Sequence, residues 1–158
     1  MKTASQSWFE DAKVGGRVPA VELPSANGPP VKLRRRDRFS TVLVRVNPEA
    51  CPGCSEYLQE IDAALRDLRV WDGRVLAVVA GDVEDARKLK SETGVRFQVL
   101  ADPSGARAAG AERRDNVVVV ADRWGEIYHV ARSETARELP GPRELEDWLR
   151  FLATQCPE

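Results

Sequence analysis

The stretch Cys51-Pro52-Gly53-Cys54 lies between an apolar run at residues 42–46 and an amphipathic helical pattern that begins near Ser55. Two thiols at such a strand-to-helix junction are typical of redox chemistry. Proline is favoured at the first position of a helix, so we expect Pro52 to open the helix and both sulfurs to lie on one helical face, within reach of a disulfide bond. Because a helix N-terminus favours the ionised thiol, which is the reactive form, the motif predicts a redox-active pair.

Other uses of the cysteines remain open. The pair could form an inert structural disulfide, or half of a zinc site with Cys51, Cys54, Cys156 and His129 as candidate ligands. Cys156 follows the apolar stripe of the last predicted helix, which favours a packed core thiol; if the natural chain continues past Glu158, it could instead begin a second C-P-x-C pair. His129, the only histidine, lies in a strand pattern and is expected to be structural or solvent-facing.

Length and charge narrow the function classes. The chain has 158 residues, with 24 Lys and Arg against 25 Asp and Glu and a formal net charge of −1. The length suits one domain, and the charge balance gives no overall basic field, so we expect no nucleic-acid partner and no membrane partner. The local exception, Arg34-Arg35-Arg36-Asp37-Arg38, is short and has no nearby aromatic cluster, which favours a solvated loop.

The distribution of apolar residues bears on the expected location of the protein. Residues 1–16 contain no apolar core of signal-peptide length, and no segment approaches the roughly 18 apolar residues of a membrane span. Three cysteines are too few for a disulfide scaffold. We therefore expect a soluble, cytoplasmic protein with one domain over residues 1–158, in which residues 1–14 could form a flexible N-terminal segment.

Three continuous apolar runs predict the core strands. They occupy residues 42–46, 75–80 and 117–121. Runs that are continuous rather than alternating are typical of strands buried on both faces of a sheet, so helices should cover both sides. Helical spacing predicts those helices from Ser55 to about Arg69, over residues 83–93, after Asp102-Pro103 and from Pro142 onward.

Turn residues complete the order of elements. Asp122-Arg123-Trp124-Gly125 predicts a tight turn, so residues 117–121 and 127–131 should pair as an antiparallel hairpin. Residues 15–33 are rich in Pro and Gly and predict a loose hairpin before the first core strand. The whole order predicts an α/β protein with a thioredoxin-like fold: a central mixed β-sheet flanked by helices, with an N-terminal hairpin extension.

Several motifs resemble those of one family. The alkyl hydroperoxide reductase/thiol-specific antioxidant family, which includes peroxiredoxin-like and thioredoxin-like redoxins, carries G-x-x-x-P-x-F-x-L, F-x-x-L-x-D and V-V-D-x-x-G-x-I motifs. Similar residues stand here at Gly15, Pro19, Val21 and Leu23, at residues 97–102 and at residues 118–127. The resemblance covers residues 15 to about 130 and places Cys51-Pro52-Gly53-Cys54 at the family's active site.

The resemblance implies two possible chemistries. In the thioredoxin-like branch, Cys51 is the nucleophile and Cys54 resolves the mixed disulfide. In the peroxiredoxin branch, P-x-x-x-T-x-x-C makes Cys54 the peroxidatic thiol, with Cys51 in place of the threonine and Asn47 in place of the proline. The replacement of the threonine and that of the proline both count against peroxidase activity.

A further characteristic residue of each branch is also replaced in this sequence. Counting back from Gly125 places the cis-proline position of thioredoxins at Val117 and the activating arginine of peroxiredoxins at Asn116, for which Arg113 or Arg114 could stand in. We predict a thiol-disulfide oxidoreductase ahead of a peroxidase, with Cys51 and Cys54 as catalytic residues and no cofactor. Its partners would be a protein disulfide or peroxide substrate and a cellular thiol reductant.

Overall fold

The computed structural model describes residues 8–35, 37–47, 53–103 and 115–155. Its strands are β1 (Glu22–Leu23), β2 (Val31–Lys32), β3 (Ser40–Val46), β4 (Gly73–Val79), β5 (Gln98–Ala101), β6 (Asn116–Ala121) and β7 (Ile127–Ser133). Its helices are α1 (Trp8–Asp11), α2 (Cys54–Ala63), α3 (Leu65–Val70), α4 (Val83–Thr93) and α5 (Pro142–Ala153), with a 3-10 turn at Ala136–Glu138.

Five strands form one mixed sheet in the order β5-β4-β3-β6-β7. β3 pairs in parallel with β4 and antiparallel with β6, while β4 and β5 are parallel and β6 and β7 antiparallel. Every residue of the two strands β3 and β6 is buried, which is why the sequence shows continuous apolar runs there. The predicted thioredoxin-like arrangement with a central mixed sheet is confirmed.

Both predicted hairpins form. β1 pairs antiparallel with β2, and β6 pairs with β7 across a turn in which Gly125 has φ +85°, a left-handed value that favours glycine. In the same turn, the Asp122 carboxylate accepts hydrogen bonds from the backbone N–H groups of Trp124 and Glu126, both at 2.9 Å. Sequence patterns missed strand β5 and helix α1, which are only 4 residues long each.

The two faces of the sheet are covered differently. Side chains alternate along each strand, so Val42 and Val44 join the apolar cluster beneath α2–α5, whereas Leu43 joins a second cluster with Phe9 of α1. The crossovers from β3 to β4 and from β4 to β5 advance in one direction, and right-handed crossovers of that kind place their helices on the same face. Among the described residues, α2–α5 therefore cover one face and the single turn of α1 lies on the other; the helix predicted after Asp102-Pro103 falls at residues 104–114, outside the described part.

The N-terminal segment covers the second face. Phe9 and Ala12 are buried, as are Val18, Leu23 and Leu33 further along the chain. The expectation of a flexible segment at residues 1–14 is thus corrected for residues 8–12, which pack against the sheet; residues 1–7 lie outside the described part. None of the helices in the described ranges combines the length and apolar character that crossing a membrane requires.

Helix boundaries follow local sequence signals. Asp82 caps α4 through a reciprocal capping box with Asp85, and Gly94 ends it with φ +68°. The stripe Leu58, Ile61, Leu65 and Leu68 is buried as predicted, but the helix is interrupted at Ala64 and continues as α3.

Candidate active site

The site lies where β3 ends and α2 begins. β3 ends at Val46, and α2 begins at Cys54 after Gly53, whose φ of +79° suits glycine in this N-cap position. The helix thus starts two residues later than predicted: Pro52 precedes it and does not occupy its first position. Cys51 lies further back in the chain, and the placement of both sulfurs on one helical face stays a prediction. The structures of Cys51 and Pro52 lie outside the described residues.

Cys54 is buried and disulfide-bonded. Its side chain is 5% exposed and belongs to the apolar cluster beneath α2, and its sulfur takes part in a disulfide bond. Both other cysteines of the chain, Cys51 and Cys156, lie outside the described residues. α5 ends at Ala153, before Cys156, whereas the sequence pattern continued the apolar stripe of this helix as far as Cys156.

Asn116, the first residue of β6, faces the sulfur of Cys54. Its Oδ1 atom lies 3.7 Å from Cys54 Sγ, and the residue is fully buried. The Asn47 N–H donates to the same Oδ1 at 3.1 Å, while Asn116 Nδ2 donates to the Glu134 carbonyl at 3.4 Å. A donor on one side and an acceptor on the other leave only one orientation of the amide that satisfies both.

This orientation presents an acceptor to Cys54. A reduced thiol can donate its S–H to Asn116 Oδ1, whereas a thiolate would face the negative end of the amide dipole. The contact therefore favours the protonated form of Cys54. In the oxidised form the sulfur has no proton, and the same pair is a sulfur–oxygen contact.

Sequence reasoning placed Asn47 and Asn116 only as replacements for family landmarks. The structure brings the two together beside Cys54, so the positions where the sequence departs from the peroxiredoxin motifs build the site. Val117, at the cis-proline position, belongs to the opposite face, and the peptide bonds of the described residues are all trans. Arg113 and Arg114 lie outside the described residues.

A buried ion pair supports the start of β6 from the other face. Arg45 of β3 is 4% exposed and pairs with Glu10 of α1. Its Nη2 donates to the Asp115 carbonyl at 3.0 Å, and its guanidinium lies 5.5 Å from the centre of the Phe9 ring. The N-terminal segment thereby holds the backbone immediately before Asn116. No local signal marks Arg45 as important, because it stands within an apolar run.

A groove borders the site. Its volume is about 580 Å³, and Gly53, Glu56, Tyr57 and Glu60 of the α2 region line one side, with residues 135–137 on the other. The Tyr57 hydroxyl donates to the Pro140 carbonyl at 2.7 Å. Burial raises the pKa of Tyr57 well above its ordinary value, so this phenol stays protonated and has a structural role.

His129 and Trp124 lie elsewhere. His129 Nε2 is 3.5 Å from a Glu144 carboxylate oxygen, and its ring stacks on Trp148 at 5.0 Å. Trp124 is 46% exposed in the β6–β7 turn, with Arg123 over its ring at 4.1 Å. Within the described ranges, His, Cys, Asp and Glu form no group of three that could hold a metal ion.

The sequence model of the AhpC/TSA family matches residues 14–127. The chain belongs to the AhpC/TSA family. This membership indicates thiol-dependent peroxidase or oxidoreductase activity. No curated protein sequence matches the chain.

Solved structures similar to this AhpC/TSA protein share its fold. Peroxiredoxin Q of Xanthomonas campestris is 15% identical with a TM-score of 0.65, over 84% of this chain and 89% of that one. Peroxidoxin BcpB of Mycobacterium tuberculosis is 18% identical with a TM-score of 0.69, over 89% and 96%. A putative protein disulfide isomerase of Bacteroides thetaiotaomicron is 19% identical with a TM-score of 0.65, over 89% and 88%.

Proposed function

We propose that this protein is a dithiol/disulfide oxidoreductase in which Cys51 attacks the substrate disulfide and Cys54 resolves the intermediate. The observation that carries the proposal is the environment of Cys54: a buried sulfur that faces the acceptor oxygen of Asn116. Such a thiol stays protonated until it attacks the mixed disulfide, which suits a resolving cysteine. Cys51 stands three positions before Cys54 in the chain, and the proposal gives it the role of the attacking thiolate.

The proposed reaction balances as two exchange steps. The Cys51 thiolate attacks one sulfur of the substrate disulfide, forms a mixed disulfide and releases the other substrate sulfur as a thiolate. Cys54 then loses its proton and attacks the Cys51 sulfur, which releases the second substrate thiol. Two electrons have passed to the substrate, and Cys51 and Cys54 are left as a disulfide that a cellular dithiol reductant restores. The disulfide bond at Cys54 is consistent with this oxidised state.

The alternative is a peroxiredoxin-type peroxidase with Cys54 as the peroxidatic thiol. One observation favours it: Cys54 is the first residue of α2, and Gly53 offers no side chain to cap the helix N–H groups, which stabilise a thiolate. The burial of Cys54 and the acceptor at Asn116 act in the opposite direction, because a peroxidatic thiolate needs donors or positive charge beside it. We therefore rank the reductase first.

Trapping experiments distinguish the two chemistries. Cys54→Ser should accumulate a mixed disulfide with a protein disulfide substrate, because the resolving thiol is gone, whereas Cys51→Ser should accumulate none. Wild type should reduce insulin-type disulfides faster than it consumes peroxide. Rapid peroxide-dependent sulfenic acid at Cys54 in Cys51→Ser, lost in Cys54→Ser, would instead establish the peroxidase.

The remaining class, a zinc-binding or protein-interaction module, has its own test. Stoichiometric zinc in protein purified without chelator, lost in Cys51→Ser, would replace the redox assignment with a metal site.

We propose that the redox protein is a single domain over residues 1–158 and acts in the cytoplasm, where thiol reductants return an oxidised C-x-x-C pair to its reduced form.

A further inference from the structure

A second cavity, of about 950 Å³, lies at the opposite end of the sheet from Cys54, where β4 and β5 begin. β5 starts opposite Leu76, so residues 73–75 of β4 have no partner strand on that side. The gap in the sheet edge is bordered by Lys32 of β2 and Arg69 of α3. The cavity therefore arises from the short β5 and stands apart from the redox site.

The walls of this cavity are strongly basic. Two carboxylates, Glu22 and Asp72, contribute to the lining, against six cationic side chains: Lys32, Arg35, Arg38, Arg69, Arg74 and Arg96. The protein as a whole carries a formal net charge of −1. The cluster is therefore a local feature that an overall basic composition does not explain, and it includes part of the basic run noted in the sequence.

Half of these cations have carboxylate partners. Arg35 lies 3.5 Å from Asp37, Arg38 lies 3.6 Å from Asp72, and Arg96 lies 3.3 Å from Asp62. Within the part of the chain that the structure describes, the remaining three cations, Lys32, Arg69 and Arg74, form no ion pair. An excess of positive charge therefore faces the cavity.

Arg74 is the most confined of these cations. Its Nη2 donates to the Leu33 carbonyl and to Thr41 Oγ1, both at 3.2 Å, and both acceptors are uncharged. Its Nε is covered and has no hydrogen-bond partner among the described residues. Burial lowers the pKa of the Arg74 guanidinium; Asp37 acts more weakly to raise this pKa, and Arg35 more weakly still to lower it. The fold fixes this cation at the wall without neutralising it, which suits an anionic ligand.

The other lining residues provide an apolar wall. Pro29, Pro30 and Phe39 line the cavity beside the cations. Guanidinium groups bind phosphate oxygens in pairs, and several separated cations suit a ligand with more than one phosphate group. A volume of this size is typical of small-molecule sites. We propose that this cavity binds an organic polyphosphate of the nucleoside di- or triphosphate class, with Arg69, Arg74 and Lys32 toward the phosphates and the apolar wall toward the nucleoside.

The proposal is tested by equilibrium binding of ATP to the full chain in EDTA, so that no metal is required. Arg69 is exposed, and Arg69→Gln should fold normally and weaken ATP binding by about tenfold or more, because a charge-assisted hydrogen bond is lost. Arg143→Gln is the matched control: it removes one exposed positive charge at the start of α5, outside the cavity, and should leave the dissociation constant within about twofold.

Further probes identify the ligand class. ATP should bind more tightly than inorganic tripolyphosphate and much more tightly than adenosine. A dissociation constant for ATP above about 1 mM, or equal losses in Arg69→Gln and Arg143→Gln, would overturn the site. Tripolyphosphate binding as tightly as ATP would overturn the nucleoside assignment. A short single-stranded RNA that binds far more tightly than ATP, through the same Arg69, would show a nucleic-acid surface instead.

Discussion

The two faces of the central sheet are closed by different physical means, and the candidate site lies where they meet. On the helical face, α2–α5 bury a continuous apolar cluster. On the other face, the N-terminal segment adds a buried ion pair, Glu10 with Arg45, to its apolar contacts. Asn116 projects toward the helical face and contacts Cys54, while the carbonyl of the preceding residue, Asp115, is held by Arg45 from the other face. The contact between Asn116 and Cys54 therefore depends on both faces.

The largest expected effect comes from breaking the ion pair. Glu10→Ala would leave the guanidinium of Arg45 buried without its carboxylate, and we expect the free energy of unfolding to fall by about 3–5 kcal/mol. Urea denaturation with a tryptophan fluorescence readout measures this. The matched control is Asp147→Ala, which removes the pair with Arg150 on the outer side of α5, where the Asp147 side chain is 66% exposed and the Arg150 side chain 53%. That change should alter stability by less than about 1 kcal/mol.

If both variants lose the same amount, the N-terminal face is not held by its buried charge pair. A second variant separates charge from packing. Replacing the pair by Glu10→Leu and Arg45→Met together should recover most of the stability, because apolar residues of similar volume often replace a buried ion pair without loss. A double variant as unstable as Glu10→Ala would contradict this account.

The same contrast shows what the sequence could predict. The helical face followed from local periodicity: Leu58, Ile61, Leu65 and Leu68 are spaced for one stripe, and the capping residues of α4 are neighbours in the chain. The closure of the other face depends on residues far apart, since Glu10 and Arg45 are 35 positions apart, and an arginine within an apolar run carries no local signal of its partner.

The site was predictable to a similar degree. The C-x-x-C motif made Cys54 a predicted site residue. It did not predict the contact with Asn116, because that contact depends on the antiparallel register in which Arg45 of β3 lies opposite Val117 of β6. Placing Pro52 at the helix start failed for a local reason: Gly53 adopts a left-handed conformation and becomes the N-cap, which moves the helix start to Cys54.

The next effect concerns Asn116 itself. Asn116→Ala would remove the hydrogen bond from the Asn47 N–H and the hydrogen bond to the Glu134 carbonyl, so we expect a loss of about 1–3 kcal/mol in the free energy of unfolding. In a Cys51→Ser background, the same change should speed alkylation of Cys54, because the acceptor that favours the protonated thiol is gone.

Asn116→Asp provides the opposing control. It keeps an acceptor and adds negative charge beside the sulfur, so Cys54 should be alkylated more slowly although this variant is also destabilised. Loss of stability alone would speed alkylation in both variants. Faster alkylation of both would therefore show that Asn116 acts through packing and not through its oxygen.

The smallest effect at neutral pH concerns Tyr57, beneath the groove beside the site. Tyr57→Phe removes the hydrogen bond to the Pro140 carbonyl and should cost about 1 kcal/mol of stability. Because burial raises the folded pKa of this phenol above its unfolded value near 10, the stability that it contributes is complete below pH 10. Above that pH the unfolded chain releases the proton while the folded protein keeps it, so this contribution falls as the pH rises toward the folded pKa. Tyr57→Phe lacks this loss, so its deficit relative to wild type should shrink between pH 8 and about pH 11 in urea titrations. A deficit that stays constant or grows over that range would mean that Tyr57 is not shielded from solvent as the structure shows.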